Sequence, residues 1–198
     1  MTTDPEHDVR TAKAALRRQL RAARRALPPA AREAAAGQLA AHGPALPGWR
    51  AGARIAAYVA ADGELDPAPL LAAASAAGLL VYLPRVGDDS ALTFHPWVPG
   101  DPLLPNRYGI GEPAATGALR VDALDLLCLP LVGFSMTGTR LGMGAGYYDR
   151  TLAASRPRLL AGLAYDCQAV DALPKEPWDV PLDGVLTETG WRPLRAPA

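Results

Sequence analysis

Leucines at 16, 20 and 27 recur at helical spacing and the Pro28-Pro29 pair ends the pattern, predicting an amphipathic helix over residues 11–27 with an arginine-rich side. An alanine-rich helix is expected over 30–41, after which Gly43, Pro44, Pro47 and Gly48 break the chain. The pattern then shortens: residues 54–60 read as a buried strand, Asp66 and Pro67 as the cap and first residue of a helix, and 79–83 as the next strand. Residues 86–119 are rich in Pro, Gly and Asp, with one edge strand expected at 91–97. A central strand at 124–129, a glycine-rich loop, a helix from near Tyr147, a strand at 159–164 and a last strand at 184–187 complete the reading. Strands alternating with helices predict an α/β fold, a mostly parallel sheet with helices on both faces. At 198 residues the chain is expected to form a single domain over 1–198.

Residues 67–84 carry no charge and approach the roughly 18 residues of a bilayer helix. Their first half is only mildly hydrophobic, and Gly78 separates it from the 79–83 run as a helix stop, so a helix followed by a strand is expected and no membrane span. The polar stretch 1–10 lacks the basic-then-apolar layout of a secretory signal, and a cytoplasmic protein is expected.

Charge narrows the function classes. Twenty acidic and twenty basic residues balance, with a pI near 6.8, so no global field draws nucleic acid or an acidic membrane. Cys128 and Cys167 form neither a disulfide framework nor a metal-ligand spacing and are expected to be reduced. His7, His42 and His95 are scattered and suggest neither a zinc site nor a Ser/His/Asp triad.

Chemistry concentrates in the stretch from Gly138 to Asp149. Gly142, Gly144 and Gly146 alternate ahead of a helix start, where exposed N–H groups and the helix terminus suit phosphate oxygens; a merely flexible loop is the other reading. The stretch lacks the P-loop ending and fails the dinucleotide fingerprint at Tyr147. Arg140 offers a cation for a phosphate and Asp149 a ligand for Mg2+, against a solvated arginine and an aspartate that only favours the helix dipole. Lys13, Arg17 and Arg21 recur every four residues on one side of the first helix. Such a ladder suits a triphosphate; by charge alone a solvated face ranks ahead of a nucleic-acid patch, and no aromatic interleaves with it. Asp62-Gly63-Glu64 follows the first strand, where open parallel sheets bind ligands, though a charged turn would look the same. In the proline-stiffened Lys175–Pro181 loop, Asp179 is a further candidate metal ligand.

The run from Leu129 to Phe134, then Gly138 and Arg140 through Arg150, resembles the signature of the 5-formyltetrahydrofolate cyclo-ligases, the methenyltetrahydrofolate synthetases. Lys13 to Arg17, Glu64, Leu83-Pro84-Arg85, Tyr108-Gly109-Ile110 with Glu112-Pro113, and Trp178 to Pro181 with Thr187-Glu188 extend the likeness over nearly the whole chain. The resemblance implies a three-layer Rossmann-like fold and the conversion of 5-formyltetrahydrofolate to 5,10-methenyltetrahydrofolate, with Mg-ATP as co-substrate and ADP and phosphate released. By matching position, Lys13, Ala14, Ala15, Leu16 and Arg17 with Arg140, Leu141, Gly142, Met143, Gly144, Ala145, Gly146, Tyr147 and Tyr148 would hold ATP. Asp149 and Asp179 would hold magnesium. Glu64 and Val59 would face the folate's pterin end, with Met143 to Tyr147 where folate and triphosphate meet. Arg140, Lys13 and Tyr148 are the expected catalytic residues. Expected partners are ATP and the folate, which can carry a polyglutamate tail, with no nucleic acid and no membrane, and the working form is expected to be a monomer.

Two positions depart from the family pattern. Ser135 stands where many members have an aspartate, and Ala145 where some have a lysine. The first removes a charge near the nucleotide loop and keeps a non-catalytic folate- or nucleotide-binding paralogue as the alternative.

Overall fold

The structure is a computed structural model; it describes residues 5–87, 90–176 and 178–194, with side chains described from residue 9. Residues 1–4 of the polar start, the His7 side chain and Pro177 of the carboxyl-terminal loop lie outside the described residues. Helices α1 (Pro5–Arg25) and α2 (Pro29–His42) precede β1 (Arg54–Ala56), α3 (Ala68–Ala76), β2 (Leu80–Val86) and β3 (Leu92–Pro96). A hairpin of β4 (Leu103–Pro105) and β5 (Gly111–Pro113) follows. Then come β6 (Leu126–Pro130), β7 (Gly133–Ser135), β8 (Arg140–Leu141), α4 (Tyr147–Ala154), β9 (Leu159–Leu163), β10 (Ala169–Val170), β11 (Gly184–Thr187) and β12 (Gly190–Pro193).

Seven strands form the central sheet in the order β12-β11-β9-β6-β1-β2-β3. The five inner strands run parallel and the two edges antiparallel. Alternation along β6 explains its place: Leu126 and Cys128 face one apolar layer with Leu39, Leu70 and Leu71 of α2 and α3, while Leu127 and Leu129 face another with Phe94, Leu152 of α4 and Val185. The predicted α/β architecture is therefore present, with helices on both faces.

Element by element, the edge strand falls at Leu92–Pro96 and the strand at Gly184–Thr187 falls as expected, but β12 pairs beyond it. The expected 54–60 strand is ladder-paired only over Arg54–Ala56; beyond it Ala57 N–H still reaches the Tyr82 carbonyl at 3.3 Å before the chain leaves the sheet. Helix α3 begins at Ala68, one residue later than predicted, and Asp66 Oδ1 accepts the Ala68 N–H at 2.9 Å. The uncharged stretch is indeed a helix and a strand: Gly78, at φ +81°, donates to Ser75 O and Leu79 to Ala74 O, both at 3.0 Å, closing the helix before β2. No described helix is long and apolar enough to cross a membrane.

The topology sets the site. From β1 the chain moves to β2 and β3 on one side, then returns to β6 on the other, so a crevice opens where the order reverses, past the carboxyl ends of β1 and β6. From β1 emerges the Asp62–Glu64 turn; from β6 the chain runs through the small β10-β7-β8 sheet into the glycine loop.

Candidate functional site

A cleft of about 880 Å3 lies at this switch point, lined from all sides: Lys13 and Arg17 of α1, Val59 and Glu64 after β1, Tyr108 of the β4–β5 hairpin, the residues from Arg140 to Arg150, and Glu176, Trp178 and Asp179. The glycine loop is open toward it. Gly144 and Gly146 stand at φ +99° and +73°, conformations an L side chain rarely adopts, and Gly146 caps α4. Among the described residues the N–H groups of Met143 through Gly146 donate to no protein acceptor, so they remain available to an anion.

Helix α1 stretches along this cleft, held by the short apolar contact of Leu20 with Val132 and Leu141. Its cations reach inward. Lys13 Nζ lies 2.5 Å from Glu176 Oε2 and 3.1 Å from Asp179 Oδ2. Arg17 Nε donates to the Gly142 carbonyl at 2.8 Å, with its guanidinium over Gly144. Arg21 Nε pairs with Asp62 Oδ2 at 2.8 Å. The basic ladder is therefore not a simply solvated face: Lys13 and Arg21 meet carboxylates and Arg17 a carbonyl in the loops it spans.

Arg140 is 8% exposed and bonds both the Val180 carbonyl and Asp149 Oδ1. Burial pulls its guanidinium below the ordinary arginine value, opposed by Asp149 and Asp179. With this pairing both Arg140 and Lys13 rest on carboxylates, and both candidate metal ligands are engaged: Asp149 by Arg140, Asp179 by Lys13. Among the described residues no cluster of three or more His, Cys, Asp or Glu could hold a metal by itself. The two aspartates still fit magnesium, which keeps few protein ligands and takes the rest from phosphate and water.

Glu64 is nearly buried, with Oε2 accepting the Ala61 N–H at 3.1 Å and Oε1 3.8 Å from Arg24. Burial raises its pKa, and the Ala61 bond and Arg24 only partly oppose the shift. Tyr148 is half-buried in the same wall, its phenol also pushed up, by burial first and Glu64 second. Tyr147 shares a 2.5 Å hydroxyl bond with Tyr108, which holds its phenol below the ordinary value.

Among the residues predicted from sequence, the structure gathers Lys13, Arg17, Val59, Glu64, Arg140 through Asp149 and Asp179 around one cleft. It does not bring Ala14, Ala15 and Leu16 there: the two alanines are exposed on α1, and Leu16 packs against the Leu20, Val132 and Leu141 cluster. Ser135 is also away from the lining, fully buried with Oγ 2.8 Å from Thr137 Oγ1. Sequence reasoning missed Arg24, wholly buried, which donates to Asp62 Oδ2 at 2.7 Å, Asp62 O at 3.1 Å and Leu131 O at 3.2 Å. Its signal was present: Arg24 interrupts the apolar stripe Leu16, Leu20, Leu27, where a leucine would be expected. Tyr108 stands out in the sequence only as part of a family motif, and no feature of its own links its loop to the cleft.

A switch-point cleft with free loop N–H groups, buried arginine and paired carboxylates is an α/β arrangement whose chemistry suits a polyanion. The sequence profile of the 5-formyltetrahydrofolate cyclo-ligase family matches residues 9–188. The Escherichia coli K12 5-formyltetrahydrofolate cyclo-ligase is 43% identical over 142 residues, 67% of this chain and 76% of that protein. That of Mycolicibacterium smegmatis is 34% identical over 189 residues, covering 88% and 93%. The solution structure of the Aquifex aeolicus 5,10-methenyltetrahydrofolate synthetase superposes with a TM-score of 0.81 at 29% identity, over 94% of each chain. The chain belongs to the 5-formyltetrahydrofolate cyclo-ligase family, and is an enzyme of one-carbon folate chemistry.

Proposed function

We propose that this enzyme converts 5-formyltetrahydrofolate to 5,10-methenyltetrahydrofolate with ATP and Mg2+, releasing ADP and phosphate. The observation that carries the nucleotide part is the row of free N–H groups at Met143 through Gly146 between the Arg17 and Arg140 guanidiniums. A formamide carbonyl is a poor electrophile until its oxygen becomes a leaving group. The formyl oxygen attacks the γ-phosphate, breaking its bond to ADP; the neighbouring folate nitrogen then adds to the activated carbon and gives up its proton, and the C–O bond breaks as phosphate departs. No covalent bond to the protein forms, so the chain's task is alignment and charge neutralisation.

Arg140, Arg17 and Lys13, now on carbonyl and carboxylate partners, would pair with phosphate oxygens, and Asp149 and Asp179 would hold the magnesium. Magnesium supplies neutralisation of the phosphate charge. Glu64, next to Val59 at the other end of the cleft, accepts from the pterin N–H groups, while Tyr148 donates its proton-bearing phenol nearby. We propose a monomer in the cytoplasm as the working form.

Arg140→Ala and Asp149→Ala test the assignment. Each is expected to lower folate-dependent ADP release at least a hundredfold while leaving the circular dichroism spectrum unchanged. Wild-type turnover in either variant contradicts these roles.

A further inference from the structure

Helix α1 also fixes an order along the cleft. Lys13 touches Glu176 and Asp179, Arg17 touches Gly142, and Arg24 touches Asp62 beside Glu64. Lys13 and Arg24 are eleven positions apart, about 16 Å along a helix that rises 1.5 Å per residue. The phosphate cradle therefore lies between two ends. One carries Glu64; the other is the 176–180 segment, where Lys13 and Asp179 are assigned to phosphate and magnesium and nothing is yet assigned to the base.

The segment is pinned from both sides by the cations of the cradle. Lys13 holds Glu176 and Asp179, and Arg140 holds the Val180 carbonyl. Within it, Glu176 N–H donates to Asp179 Oδ2 at 2.8 Å and Asp179 N–H to the Glu176 carbonyl at 3.0 Å. Trp178 sits inside this closure, lines the cleft and is 63% exposed. Of the other cleft aromatics, Tyr58 donates to the Leu65 carbonyl at 2.6 Å, Tyr108 and Tyr147 meet edge to face, and Tyr148 packs against the apolar layer of Leu127 and Leu129. Among the described residues Trp178 makes no ring contact and its indole N–H no hydrogen bond. A large aromatic face left bare on a tethered turn, one step beyond a phosphate cradle, matches the flat ring at the far end of a nucleotide.

We propose that Trp178 is the platform on which the purine ring of the nucleotide stacks, so that the triphosphate runs from Trp178 across the glycine loop toward Glu64. This rests on the reading that the loop holds a triphosphate. It also assigns the two ends: nucleoside at Trp178, pterin at Glu64.

Calorimetric titration of the whole chain with ATP, ADP and inorganic tripolyphosphate separates base from phosphate recognition. Trp178→Ala is expected to weaken ATP and ADP about tenfold, as loss of one base–aromatic stack does, with Trp178→Phe within about threefold of wild type. Tripolyphosphate and 5-formyltetrahydrofolate affinities should be unchanged in both. Unaltered ATP affinity in Trp178→Ala, an equal loss for tripolyphosphate, or a loss for the folate instead would each overturn the assignment. If wild-type protein binds the folate but neither ATP nor tripolyphosphate, the nucleotide reading itself fails, and this inference with it.

Discussion

Arg24→Met is the most informative perturbation of the scaffold under the site. The guanidinium is wholly buried, and methionine replaces its stem without opening a large cavity, so the change isolates the charge. Removing one partner of a buried ion pair commonly costs about 3–5 kcal/mol because the other charge is stranded. Here the stranding is partial. Asp62 keeps Arg21 at 2.8 Å and the contact with Arg25, and the Leu131 carbonyl keeps the Gln168 amide at 2.7 Å. Glu64 loses the cation 3.8 Å away, the chief positive charge opposing its burial. The loss should therefore fall below the full range, about 2–3 kcal/mol, or roughly 4–12 °C in melting temperature for a chain of this size. Equilibrium urea unfolding measures it, and adding Glu64→Gln to Arg24→Met should recover part of the loss. A loss under about 1 kcal/mol, or strict additivity of the two substitutions, would refute the idea that Arg24 carries the Asp62–Glu64 turn.

Other expectations follow from burial. Glu64 is raised above its ordinary 4.5, so in the window just above that value the folded state binds more protons than the unfolded and stability falls as pH rises through it. Glu64→Gln removes that fall: relative to wild type it should gain stability as pH rises above the ordinary carboxyl value in urea titrations while losing folate affinity, and a relative loss on that rise would contradict the burial argument. Cys128 is buried with its thiol pushed up to about 12, whereas Cys167 is exposed, so one thiol should react with a disulfide reagent in native protein and two in denaturant; two fast thiols in native protein would show that the β6 core opens.

Legibility of the chain from sequence followed the length scale of each signal. Leu126 to Pro130 alternate between two apolar layers, a period visible in five residues, and the Gly78 stop between α3 and β2 is local chemistry. Strands β7, β8 and β10, of two or three residues, contain no period to read, and β12 exists because it pairs with β11. The glycine loop could be read because its turn geometry and free N–H groups are backbone features set within a dozen residues. The basic face of α1 could not, since Lys13 finds its partners 163 and 166 positions away, and only tertiary folding shows that its charge is matched by Glu176 and Asp179. Ser135 looked like a lost active-site charge in sequence; its hydroxyl instead bonds Thr137 within the small sheet and does not face the cleft.

The proposed reaction is tested most directly by mixing the protein with 5-formyltetrahydrofolate and Mg-ATP and following the near-ultraviolet absorbance of the methenyl product. Absorbance that grows only with protein, ATP and magnesium all present is the predicted result. Folded protein that binds the folate yet yields no product would contradict it and leave a binding protein on a cyclo-ligase scaffold.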